Sequence, residues 1–168
     1  MHAVHPEEVR MEARSILEKH SFPVNPWRIL RSLGVECIRI PLPNVSMSGC
    51  LARCAGRFWV VVNLCQNRAP GRERFTLAHE LGHYVLHRLW PFSWAKDPEV
   101  ARAMDADADL FAAELLMPSE EVLRTAASAP PGQAARAVAR RCGVTPAAAR
   151  VRLQELGWEE KSFRPAVR

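Results

Sequence analysis

The segment Phe75-Thr76-Leu77-Ala78-His79-Glu80-Leu81-Gly82-His83 carries an H-E-x-x-H pattern inside an apolar, helix-forming run, and it constrains fold and chemistry together. At 3.6 residues per turn, His79 and His83 stand one turn apart on one helix face, about 6 Å along the axis, so both imidazoles can reach a single ion. Glu80 flanks that face, where a carboxylate can hydrogen-bond a water held beside the ion and take its proton. An accidental match in a chain of this composition has a probability of roughly 2%. The run from about Arg72 to Leu89 has neither Gly nor Pro ahead of the motif to break a helix. The pattern therefore predicts a helical metal site of the metal-dependent hydrolase kind.

A catalytic zinc site takes three protein ligands and keeps a fourth position for water, so the two histidines need a partner. Asp97-Pro98-Glu99 opens a second long helix with an N-cap, a proline at the first position and an acid in the first turn, and Pro118 stops it at Met117. That helix offers Asp105, Asp107 and Asp109. Asp105 and Asp109 share a face at i and i+4, whereas Asp107 lies about 200° round from Asp105, so the three cannot all face one ion. The favoured arrangement has Asp105 as ligand and Asp109 accepting a histidine N–H, because liganding imidazoles are usually oriented by a carboxylate. Asp107 is the alternative ligand, and three acids that merely complement the helix dipole are the reading in which none binds. Such donors suit zinc, and manganese or another divalent ion as well. His87 extends the i, i+4 series but lies about 12 Å from His79, so it is expected as a charge partner of the helix C-terminus. Tyr84, one turn beyond Glu80, is a candidate transition-state stabiliser, with ordinary packing as the commoner role for such a residue.

Around this centre the chain reads as helix, helix, small sheet, metal helix. Pro6-Glu7-Glu8 opens a helix to about His20, and Asn25-Pro26 opens a short one that stops at Gly34. Val35 to Ile40, Gly49 to Cys54 and Arg57 to Asn63 read as strands, with Ala55-Gly56 as a tight hairpin turn between the last two. Trp90-Pro91-Phe92-Ser93-Trp94 is expected as a loop folded onto the core. Ala134 to Arg141, Cys142-Gly143 and Thr145-Pro146 to Leu156 form a helix, a glycine turn and a capped helix, a helix-turn-helix pattern.

At 168 residues the chain buries one good core and carries one small appendage. No run of 18 apolar residues is present and the N-terminus lacks the basic and apolar regions of a signal peptide, so no membrane association and a cytoplasmic location are expected. The five cysteines, Cys37, Cys50, Cys54, Cys65 and Cys142, are odd in number without C-x-x-C spacing, which predicts free thiols. The net charge of +5 is uneven: residues 1–123 hold 14 Lys and Arg against 15 Asp and Glu, and residues 124–168 hold 9 against 3. This step divides the chain into 1–123, which carries the metal helix, and a basic helical segment, 124–168. If those helices entered a major groove, Arg150, Arg152 and Gln154 would be the phosphate or base contacts; DNA binding is the less favoured use.

The block Arg74-Phe75-Thr76-Leu77-Ala78-His79-Glu80-Leu81-Gly82-His83, followed by Ala108-Asp109-Leu110-Phe111-Ala112-Ala113-Glu114-Leu115-Leu116-Met117-Pro118, resembles the bacterial and phage ImmA/IrrE metallopeptidases. The resemblance implies an α+β, gluzincin-like fold in which a short β-sheet packs on helices including the HExxH helix, followed by the helix-turn-helix-like segment. It also implies zinc or a similar ion, and proteolysis of a regulatory protein, a helix-turn-helix repressor, that switches a stress or mobile-element response. His79, His83 and Glu80 carry over directly. The family's usual glutamate ligand falls on Asp105, one methylene shorter, so the second helix must sit closer, or Asp107 must substitute, or the site binds weakly. Substrate is expected to pair in extended form with a free sheet edge, the Gly49 strand or the Arg57 strand. The competing expectation is a non-proteolytic metal-binding regulator that holds DNA or a partner protein through the basic helices.

Overall fold

The computed structural model describes residues 4–90 and 96–159; of the aromatic segment expected as a loop, residues 91–94 lie outside the described residues. Two helices come first. α1 (Pro6–Leu17) starts on the His5 cap and buries Val9 and Ala13, and α2 (Pro26–Ser32) is capped by the Asn25 side chain, which accepts from the Arg28 N–H at 3.2 Å. The chain leaves α2 through Gly34 at a φ of 76°, the left-handed exit that its spacing predicts.

Three strands follow: β1 (Glu36–Ile40), β2 (Gly49–Cys54) and β3 (Arg57–Asn63). The sheet order is β1-β3-β2, with β1 parallel and β2 antiparallel to β3. β3, the apolar R-F-W-V-V-V-N run, takes the centre and buries Val60 and Val62. Ala55 and Gly56, at φ values of 48° and 76°, make the β2–β3 turn with positive φ at both central residues, the geometry that matches strand twist. The expectation that the Arg57 strand could serve as a free edge is corrected, because β1 and β2 occupy both its sides. β2 pairs on one side only among the described residues.

The metal helix, α3 (Pro70–His87), lies against β2 and β3 and crosses α4 (Pro98–Leu116), which begins on an Asp97 cap as its sequence indicates. Their approach is close at one point. A Cβ on Gly82 would come within 3.1 Å of the Ala108 Cα and the Phe111 ring, so the glycine inside the H-E-L-G-H motif and the alanine before Asp109 let the two backbones meet. Leu77, Leu81, Phe111 and Leu115 close the core around this crossing.

α5 (Ser119–Ala127) lies outside the sequence expectations, because the Pro118 that ends α4 also starts the next helix. Pro118 is its N-cap, and Glu120 and Glu121 stand in the first turn, the signal that would have revealed it. α6 (Ala134–Cys142) and α7 (Pro146–Glu155) follow, joined through Gly143 in the left-handed region and Thr145 as the α7 cap. Their turn seats on the start of α3, where a Cβ on Gly71 would lie 2.7 Å from the Val144 carbonyl carbon. Val138, Cys142, Ala149 and Leu153 join the same hydrophobic cluster as Leu81 and Phe111, so buried side chains from both sides of residue 124 share one core. The five cysteines are free thiols, and no helix among the described residues is long and apolar enough to cross a membrane.

Candidate metal centre

His79 and His83 project from α3 toward Asp105 on α4. The His79 and His83 Nε2 atoms are 3.1 Å apart, and the Asp105 Oδ1 lies 3.3 Å from the His83 Nε2 and 3.9 Å from that of His79. Ligands about 2.0–2.1 Å from a tetrahedral ion stand roughly 3.3 Å from one another, so these three atoms could hold a divalent ion and leave a fourth position open. Asp105 is the most exposed group of this set, with its side chain 64% exposed. The close α3–α4 crossing at Gly82 brings the short aspartate within range without the extra methylene of a glutamate.

Each histidine has a partner behind it. The His79 Nδ1 is 2.8 Å from the Asp109 Oδ1, the orienting contact expected from i, i+4 spacing on α4. Asp107 is not part of the triad. It is buried, accepts from the Val4 backbone N–H at 2.9 Å and faces the His87 Nε2 at 3.4 Å. His87, the last residue of α3, is buried with its Nδ1 3.2 Å from that of His83 and its Nε2 toward Asp107.

Glu80 is buried, and Gly49 on β2 is what makes room for it: a Cβ there would come within 3.0 Å of the Glu80 Oε1 and 2.6 Å of the Thr76 Cγ2. Burial pushes the Glu80 carboxyl up to about 7, with Asp105 adding to the shift and with His79 and a hydrogen bond from the Leu51 backbone N–H opposing it. Burial likewise holds His83 down to about 3, helped by its histidine neighbours, so its imidazole is neutral and has a free lone pair. For His79 burial acts downward, but the Asp109 hydrogen bond and the nearby carboxylates outweigh it and raise the imidazole.

A cavity of about 800 Å³ opens over these groups. Met47, Ser48, Gly49, Cys50 and Leu51 form one wall, so the unpaired side of β2 runs beside the triad, and Phe75 and Met104 supply apolar surface. Two residues that sequence reasoning passed over hold this wall. The Asn63 side chain spans the 42–47 loop, accepting from the Leu42 N–H at 3.0 Å and donating to the Leu42, Val45 and Met47 carbonyls at 3.0–3.1 Å. Asn67 donates to the Ser48 carbonyl at 2.7 Å and accepts from the Thr76 hydroxyl at 2.8 Å, tying the loop to α3. An asparagine ending a strand, directly after a run of valines, was the available signal, since an amide there bonds nearby backbone.

The remaining candidates fall away from the site. Tyr84 does not line the cavity; its hydroxyl donates to the Leu33 carbonyl at 3.4 Å and its ring meets Phe58 edge to face, so it packs. Arg152 is corrected as a nucleic-acid contact. It is 4% exposed, pairs with the Glu114 Oε1 at 2.8 Å and donates to the Met117 carbonyl at 3.1 Å, tying α7 to α4. Arg150 and Gln154 remain exposed on α7.

Two imidazoles and a catalytic-type glutamate on one helix, joined by a carboxylate from the next and set beside a free strand edge, define the metal-dependent peptidase class. The model of the IrrE N-terminal-like family, Peptidase_M78, matches residues 31–154, and the chain belongs to this ImmA/IrrE family of metallopeptidases. No curated protein matches the chain. The family implies a divalent metal, and the donor set His79, His83 and Asp105 fits one.

Proposed function

We propose that this metallopeptidase is a zinc endopeptidase that cleaves a helix-turn-helix transcriptional repressor in the cytoplasm and so switches a stress or mobile-element response. The observation that carries the endopeptidase reading is the open cavity in which the unpaired side of β2 passes the triad and Glu80. An extended segment can add to that edge by main-chain hydrogen bonds, with no requirement for a free chain end. The choice of a repressor as substrate rests on the family resemblance.

The residues have distinct roles in this reading. His79, His83 and Asp105 would hold the ion, which when bound would supply Lewis-acid polarisation of the scissile carbonyl and acidify the attacking water. Asp109 fixes the His79 ring. Glu80 takes the proton of the water and delivers it to the leaving amine, and the β2 backbone aligns the peptide. The regulator without proteolysis is the weaker reading, because Arg152, one of its three candidate contacts, is buried in an ion pair.

Glu80→Gln tests the reading. With repressor candidates encoded beside the gene as substrates, the wild-type protein should yield two fragments of one defined cut by mass spectrometry. Glu80→Gln should lower the rate by about 10²–10⁴-fold while elemental analysis still finds one metal per chain. Cleavage that survives the substitution would reject the assignment of Glu80, and a switched response that persists in cells carrying it would favour the non-proteolytic regulator.

A further inference from the structure

We propose that His87 and Asp107 are positioning residues that orient His83 through a buried relay ending on the backbone of residue 4. The proposal rests on the reading of His79, His83 and Asp105 as the metal ligands. His83 presents its Nε2 to the triad and its Nδ1 to the Nδ1 of His87 at 3.2 Å. A ring that ligates through Nε2 carries its proton on Nδ1, so that N–H donates and the His87 Nδ1 accepts. His87 must then hold its own proton on Nε2, which faces the Asp107 Oδ2 at 3.4 Å. The same oxygen accepts from the Val4 N–H at 2.9 Å. Every donor in the chain has one acceptor, and the direction of each bond follows from the one before it.

Burial sets this relay apart from the contact behind His79. The His87 and Asp107 side chains are 2% and 9% exposed, whereas that of Asp109 is 62% exposed. The Trp90 ring lies 4.6 Å from the His87 ring, centroid to centroid. Water can replace Asp109 at a cost of little more than order. It cannot readily replace His87, so an N–H left there would have no acceptor. The relay also joins three segments: α3 carries both histidines, α4 carries Asp107, and the residue leading into α1 supplies the final donor. Through it the rotamer of a ligand depends on how α1 sits on α4.

The test is zinc affinity, measured by competition with a chromophoric chelator, together with ¹⁵N NMR of the histidine rings in the zinc-loaded wild-type protein. His87→Phe keeps a ring but removes both nitrogens, and Asp107→Asn keeps the shape but removes the charge. Loss of such partners typically weakens binding about 10–100-fold; His87→Phe is expected in that range and Asp107→Asn near its lower end, with the circular dichroism of both unchanged. The spectra should show His87 protonated on Nε2 and His83 on Nδ1. Should His87→Phe fail to fold, Asp107→Asn and the wild-type spectra carry the test. Variants that bind zinc within about twofold of wild type, or a His87 proton found on Nδ1, would overturn the relay while leaving the metal centre standing. A wild-type protein with no zinc affinity would overturn the metal centre and the relay with it.

Discussion

Gly49 is a position where the absence of a side chain carries chemistry. It lets β2 lie against α3 so closely that Glu80 rests under the strand, and no conformational demand explains the residue, since its φ is not positive. Gly49→Ala should therefore displace Glu80 or push β2 outward. A loss of about 1–3 kcal/mol is expected in urea unfolding, with cleavage impaired and metal content by elemental analysis unchanged. Asp105 makes the complementary case. Asp105→Ala should remove the stoichiometric metal, whereas Asp109→Ala, whose place water can take, should keep it at an affinity less than about 10-fold weaker, both read by chelator competition. The identity of Asp105 as the residue facing the histidines was legible in its spacing from Asp109. The exclusion of Asp107 was not: spacing puts it on another face but says nothing of the Val4 N–H and His87 ring that occupy it there.

Elements meet here through a few close approaches and ion pairs. Gly82 against Ala108 brings α3 to α4, Gly71 against Val144 seats the α6–α7 turn, and Arg152 with Glu114 ties α7 to α4. A smaller tie joins α5 to α6, where Glu121 pairs with Arg141 and with Arg124 of its own helix. Slight burial raises the Glu121 carboxyl, but the hydrogen bonds from the two guanidinium groups prevail and hold it below its ordinary value of 4.5. A carboxylate lowered on folding contributes stability above its unfolded value and loses it as pH falls through the folded one. Both arginines are well exposed, so the contribution is about 0.5–1 kcal/mol. Comparing urea midpoints of wild type and Glu121→Gln should show this difference at pH 7 and a shrinking one as pH falls below 4.5 and through the lowered folded value. The helices α1, α2, α3, α4, α6 and α7 were legible because caps, prolines and apolar spacing act within a turn or two. α5 was missed where one proline both ends a helix and caps the next.

Taken as one body, the protein has a charge boundary that is not a boundary in its core. The basic excess begins near residue 124, yet Val138, Cys142, Ala149 and Leu153 pack into the cluster that contains Leu81 and Phe111. The turn of the basic segment also supplies Thr145, and α7 supplies Ala148, to the wall of the cavity. A chain ending at residue 123 would expose that apolar surface and leave the Glu114 carboxylate without Arg152, its nearest cation. It should therefore lose cooperative thermal unfolding and aggregate, as followed by circular dichroism and light scattering. A truncated chain that unfolds cooperatively and retains one metal would show that 1–123 folds alone.

The physical origin of the division between what was readable and what was not is the range of the interactions. Residues one or two turns apart dictate the metal helix, the pairing of His79 with His83, the caps at Asn25, Asp97 and Thr145, and the Ala55-Gly56 hairpin. These follow from backbone geometry that any environment must respect. Contacts between residues far apart in the chain settled the rest: β3 at the sheet centre, β2 as an edge strand unpaired on one side among the described residues, Arg152 buried against Glu114 rather than facing a nucleic acid, and His87 buried against Asp107. A side chain's neighbours across a core depend on how elements pack, and local spacing carries no record of that.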